Sequence, residues 1–171
     1  LQACLVDGFN PLTLTGLTQT GGVATATYGS AHGYAINDVL LIGGATPAGY
    51  NGEVRVLSVT ATTLTFAVDA GLTSPATGTI TSQIAPLNWT MPYSGANKAA
   101  FRPASPYGQC LLRVQDDSST PTSASGRWGK WRGYETMTDV DTGTGLFPTV
   151  AHEANGLSVF KSSTSDLVAR H

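Results

Sequence analysis

The sequence predicts an all-β protein: a small β-barrel or sandwich module over residues 12–85, inserted in a second β-rich domain made of residues 1–11 plus 86–171, with little helix. Three observations carry this prediction. Apolar residues alternate with small or polar ones in Val54, Val56 and Leu57-Val59, and again in Leu64, Phe66 and Val68. That is the period-two signature of strands with one buried face. Turn formers separate the runs: Gly43-Gly44, Pro47, Gly49 and Asn51-Gly52. Threonine occurs 24 times, and its branched β-carbon suits a pleated, half-buried surface.

Taken in order, residues 1–11 form a short apolar segment, and strands are predicted near 14–18, 23–28, 38–42, 53–59, 64–68 and 78–83. Short strands at this spacing, with a turn signal between each pair, are the pattern of a small barrel or sandwich. Pro86 marks a boundary, after which aromatic and charged residues become commoner. Strands are predicted at 89–93, 99–102 and 109–115, and 128–137 is the returning arm of a long hairpin whose polar tip is 116–126. A helical turn is expected at 148–154 and a last strand at 157–161, before a frayed end. The second half has few strands with which to close a core alone, so an insertion is the economical arrangement. Its ends, Leu12 and Ala85, must then lie close together, which neighbouring strands would satisfy. Two consecutive domains, with 1–11 as an arm, is the alternative.

Composition narrows the function classes. Hydrophobic residues make up 41% of the chain and charged residues 12%, about half the charged share of an ordinary globular domain. Weak repulsion between copies suits a protein that lives packed in an assembly. The net charge of −2 gives no basic face for nucleic acid. Arg127, Lys130 and Arg132 interleave with Trp128 and Trp131. That pattern admits base stacking, but a strand burying its indoles and turning its cations outward explains it more simply. Cys4 and Cys110 match neither a zinc nor a redox spacing and are expected as two free, buried thiols. No apolar run is long enough to span a membrane, and the opening LQACLVDGF lacks the features of a signal peptide.

The residues able to do chemistry form no catalytic pattern. His32, in SAHGY, is expected as a turn histidine at a strand end, with Asp38 its nearest carboxylate partner in any acid–base role. Asp139 and Asp141 open like a calcium loop, but position five is Gly143 and position twelve is Val150. Asp141-Thr142-Gly143 has the aspartic-protease triplet without the second copy that enzyme needs. DVDTGTG is therefore expected to shape a tight loop through Asx-turn hydrogen bonds. No nucleophile elbow and no phosphate loop occurs. No catalytic residue, metal or cofactor is assigned, and the protein is not expected to be an enzyme.

Two stretches carry a resemblance. Residues 21–68, with His32-Gly33, the strand opening Asn37-Asp38-Val39 and the turn Tyr50-Asn51-Gly52, resemble a small β module found in many tailed-bacteriophage virion proteins. Such modules often have Gly-Asp where this chain has Asn37-Asp38. Residues 86–90, 93–98, 133–147 and 156–164 are similar to a family of phage virion structural proteins carrying this module as an insert. The resemblance implies a structural component of the virion, assembled in the host cytoplasm and acting through contacts with other virion proteins and with copies of itself. No nucleic acid or membrane partner is implied. The tail or baseplate region is the preferred position, with capsid decoration or a head–tail joint the alternative. Candidate contact residues are Trp128, Trp131, Tyr134, Tyr50 and Tyr93, because aromatics dominate interface energetics; the competing role for each is a core aromatic. A carbohydrate- or host-surface-binding module is the second hypothesis. A hydrolase built on Asp139 and Asp141 is the third.

Overall fold

The computed structural model describes residues 1–104, 108–116, 128–149 and 158–160, with the backbone alone at 116, 128, 129 and 158–160. The predicted polar tip, most of the helical turn near 148–154 and the C-terminal end lie outside the described residues. Strands account for 52% and helix for 7%, so the all-β prediction holds. The chain divides into two compact units at Leu87/Asn88.

In the first unit, a helical turn at Ala3–Asp7 is followed by β1 (Phe9–Thr20), β2 (Val23–Tyr28), β3 (Val39–Gly43), β4 (Gly52–Val59), β5 (Thr63–Ala67) and β6 (Thr81–Ile84). All six strands predicted here are present. They close into an antiparallel barrel in the order β1-β2-β5-β4-β3-β6. Closure depends on β1. Its C-terminal part pairs with β2 from Leu14↔Tyr28 to Thr20↔Val23, and its N-terminal part pairs with β6 from Phe9↔Ile84 to Thr13↔Thr81. Irregular register at Leu14/Gly16 bends the strand between its two partners, the usual role of a bulge.

Alternation then fills the interior. Leu14, Leu17, Ala24, Ala26, Leu40, Ile42, Val56, Leu64 and Phe66 all point inward and are buried. A six-stranded barrel is narrow, so side chains occupy its lumen.

Residues 1–11, expected to belong with 86–171, lie in the first unit. Phe9 already pairs with Ile84, Leu87 donates its N–H to Cys4 O, and Gln83 Nε2 donates to Asp7 O. The expected proximity of the module's ends is present, since Leu12 pairs with Ser82.

The residues that carry the first resemblance have structural work. Asn51 accepts the N–H of Ala45 on Oδ1 and donates Nδ2–H to Ala45 O, at 2.9 and 2.8 Å. It thereby clamps the loop between β3 and β4. Asn37 sits at φ 74°, in the left-handed region that glycine and asparagine tolerate best. Glycine would adopt this conformation without strain. At Gly44, φ is 78° and an added Cβ would lie 2.1 Å from the carbonyl oxygen of Thr79. Two backbones cross there with no room for a side chain.

In the second unit, β7 (Thr90–Gly95), β8 (Lys98–Arg102), β9 (Leu111–Asp116), β10 (Trp128–Tyr134) and β13 (Ser158–Phe160) form one antiparallel sheet in the order β13-β10-β9-β8-β7. A two-stranded ribbon, β11 (Thr136–Met137) and β12 (Gly143–Thr144), follows β10. The predicted long hairpin is β9–β10, paired from Gly129↔Asp116 to Tyr134↔Leu111. The predicted arm 128–137 is broken at Glu135, where the chain leaves the sheet for the ribbon.

Two substitutions test this account in thermal or denaturant unfolding. Asn37→Gly leaves stability nearly unchanged, whereas Asn37→Val lowers it by about 1–2 kcal/mol, the cost of a left-handed conformation at a residue with a β-carbon. Gly44→Ala lowers it by at least about 1 kcal/mol, because backbone conformation and space both oppose the methyl group.

Candidate functional site

Directly paired residues of antiparallel strands share a face, and the register assigns the two faces of the second unit's sheet. One carries Tyr93, Lys98, Ala100, Leu111, Arg113, Gln115 and Tyr134; the other carries Ala99, Phe101, Leu112, Val114, Trp131 and Gly133.

The first face is covered by the chain's own ribbon and loop. Ala100, Leu111, Tyr134 and Met137 make its buried core, with Tyr93 and Leu146 against it. Tyr93 donates its hydroxyl hydrogen to Met137 O at 2.8 Å. The buried Arg113 donates from each of its three guanidinium nitrogens: Nε to Val140 O at 2.6 Å, Nη1 to Gln115 Oε1 at 2.8 Å and Nη2 to Asp141 Oδ1 at 2.9 Å. Lys98 Nζ is hydrogen-bonded to the other Asp141 oxygen. Both carboxylate oxygens are therefore occupied. Asp139 Oδ1 accepts the N–H of Asp141 at 2.7 Å and of Thr142 at 2.9 Å, which is the Asx-turn predicted for DVDTGTG. The backbone N–H of Asp141 is the first cause holding the Asp139 carboxyl below its ordinary value. Hydrogen bonds from Lys98 and then Arg113 do the same for Asp141.

The second face also carries Ser94, opposite Ala99, and position 116, opposite Gly129; between them it is apolar. Trp131 lies opposite Val114, which lies opposite Ala99; Gly133 lies opposite Leu112, which lies opposite Phe101. Phe101 is buried, Leu112, Val114 and Ala99 are half-buried, and Trp131 is 36% exposed. The ring of Phe147, itself exposed, lies over Gly133, where an added Cβ would meet it at 2.2 Å. Glycine at 133 is what lets this second aromatic ring join the Trp131 face.

The five aromatic candidates thus separate. Trp131 is available on an apolar face. Tyr50 and Tyr134 are buried and offer nothing to a partner: Tyr50 is wholly enclosed in the barrel core and donates to Thr73 O, and Tyr134 belongs to the ribbon core. Tyr93 is half-buried and engaged with Met137. The side chain of Trp128 lies outside the described residues. Phe147 was missed because its exposure depends on a long-range bridge, Gly133↔Phe147.

The barrel's polar interior is likewise committed. Ser82 Oγ is 3.0 Å from Tyr28 Oη and 3.1 Å from Tyr34 Oη, and Tyr34 also donates to Asn10 O at 2.7 Å. Burial pushes the Tyr28 phenol up to about 12 and raises that of Tyr34. The buried His32 accepts Tyr34 N–H on Nδ1 at 3.0 Å, so its proton is on Nε2, which faces Thr63 O at 3.2 Å. Asp38 turns instead to Ala35 N–H. Both cysteines are free and exposed, a correction to the expected buried thiols: Cys4 lies in the N-terminal turn and Cys110 just ahead of β9. Among the described residues no group of three or more His, Cys, Asp or Glu side chains could hold a metal ion. No helix among them is long and apolar enough to cross a membrane.

No family model, curated protein or solved structure matches the chain.

The loop chemistry sets a pH dependence. Carboxyls held below their ordinary 3.8 stabilise the fold fully above that value, and the contribution disappears as pH falls through their lower folded values. In acid titrations of unfolding, wild type therefore exceeds Asp139→Asn and Asp141→Asn in stability at neutral pH, and the differences shrink below about pH 4. A gap that stays constant down to the acid transition contradicts this assignment.

Proposed function

We propose that the chain is a structural component of a tailed-phage virion, assembling through protein–protein contacts. The observation that carries the assembly part of this reading is the sheet face on which the part-exposed Trp131 lies opposite Val114, with the exposed Phe147 beside it. Exposed aromatics on an apolar ground are what interface cores are made of. The polar groups most able to do chemistry support the same reading by being used internally: Arg113, Asp141, Asp139, His32, Tyr28 and Tyr34 all hold the fold together. The virion setting rests on the resemblance of residues 21–68 and of residues 86–90, 93–98, 133–147 and 156–164. The tail or baseplate region is our preferred position, and capsid decoration or a head–tail joint is the alternative.

A sugar-binding role fits this face less well. Carbohydrate sites place hydrogen-bonding groups around their aromatic platform, whereas the paired neighbours of Trp131 are Val114 and, beyond it, Ala99.

The test is incorporation. Tagged chain co-sediments with purified particles, and immunogold labelling places it on the tail or the head. Trp131→Arg leaves the melting curve unchanged and weakens the contact by about 2 kcal/mol, roughly thirty-fold, as loss of an interface anchor does. Chain recovered only outside particles overturns the reading.

A further inference from the structure

The loop from β2 to β3 lies over the end of the barrel where β2 stops and β5 begins, and one residue ties it there. His32 donates its backbone N–H to Ala61 O at 3.2 Å and accepts Asn10 Nδ2–H on its own carbonyl oxygen at 3.2 Å. Its ring, 4% exposed, packs on the rings of Tyr28 and Tyr34, with centroids 5.0 and 5.5 Å away. Nε2 faces Thr63 O, and Nδ1 takes the N–H of Tyr34. Tyr34 in turn reaches Asn10 O and Ser82. A single residue thus fastens the stretch 29–35 to β1, to the β4–β5 turn and to β5.

This arrangement suits one protonation state of the ring. With its proton on Nε2, the neutral imidazole gives one hydrogen bond and receives one. A second proton would sit on Nδ1 and point at the Tyr34 N–H, setting two donors against each other. The groups placed against the residue are neutral. β1 presents the Asn10 amide, β2 the Tyr28 phenol, β5 the Thr63 carbonyl, the β4–β5 turn the Ala61 carbonyl, and β6 the Ser82 hydroxyl beyond the two phenols. Within the loop the titratable neighbours are Tyr34 and Asp38, and the Asp38 carboxylate accepts the Ala35 N–H at 2.8 Å. Burial raises both phenols, so they stay uncharged while an imidazole titrates.

We infer that the β2–β3 loop is an acid-released latch: a proton taken up on Nδ1 of His32 displaces the Tyr34 N–H and frees residues 29–35, opening this end of the barrel while its strands stay paired. The released loop accommodates the proton and the fastened loop has no place for it, so acid shifts the population toward the open form. The fastening is complete above the range in which a solvated imidazole titrates, about pH 6.5, and is lost as pH falls below it. Opening of one loop is a smaller event than global unfolding. The latch is a property of the barrel itself and does not depend on what the chain assembles with.

Backbone amide exchange of the full chain, followed by NMR between pH 8 and pH 5 and corrected for intrinsic exchange, tests it. Protection of the Tyr34 N–H falls roughly tenfold between pH 6 and pH 5, the slope of a one-proton opening. Protection of amides within the β2–β5 ladder stays constant. In His32→Gln, a side-chain amide that offers the same donor and acceptor without titrating, Tyr34 protection does not change with pH. Should that variant fail to fold, the wild-type chain decides alone, through the His32 ring resonances recorded on the same samples. Tyr34 protection that is indifferent to pH, an equal loss in His32→Gln, or a His32 ring that gains its proton while the Tyr34 N–H stays protected overturns the inference.

Discussion

The first unit exists as a barrel because one strand serves two sheets. The twelve residues of β1 are too many for either neighbour alone. Their two ends are claimed by β2 and by β6, with the bend at Leu14/Gly16 between them. Everything else in the unit follows from that closure. The lumen becomes a sealed apolar core around Phe66, Leu17 and Tyr50. The edges that make open sheets prone to unplanned pairing disappear. Contacts with other molecules are left to the outer wall.

Closure also fixes where the polar groups go. Enclosing Tyr28, Tyr34 and Ser82 requires that each find a partner inside, since an unpaired buried hydroxyl is costly. They do so by converging on one another and on Asn10 O. In the second unit the same rule ties Arg113 to Val140, Gln115 and Asp141. That ties the Asp139–Thr142 loop to the β9 face of the sheet. These groups are spent on holding the fold; among the described residues, threonines, charged side chains, both cysteines and apolar side chains are exposed.

Two asparagines of the first unit have physical reasons to be what they are. Asn51 braces a loop through both ends of its amide, and Asn37 occupies a left-handed backbone site. Both describe how a small barrel is built rather than what it binds.

Strand periodicity was legible without the structure because it is local: alternation through Val54–Val59 and Leu64–Val68 depends on neighbours two residues apart. The Asx turn at Asp139 was legible for the same reason, being made within four residues. Pairing over long sequence distances was not. The union of Phe9 with Ile84 moved residues 1–11 into the first unit, and the folding of the ribbon onto one sheet face buried Tyr134 while Trp131, three residues earlier, stayed exposed. Composition and alternation determined that this chain is β-structured and weakly charged. Only the tertiary structure decided which aromatics are core and which are surface, because burial is set by the element that arrives from far along the chain.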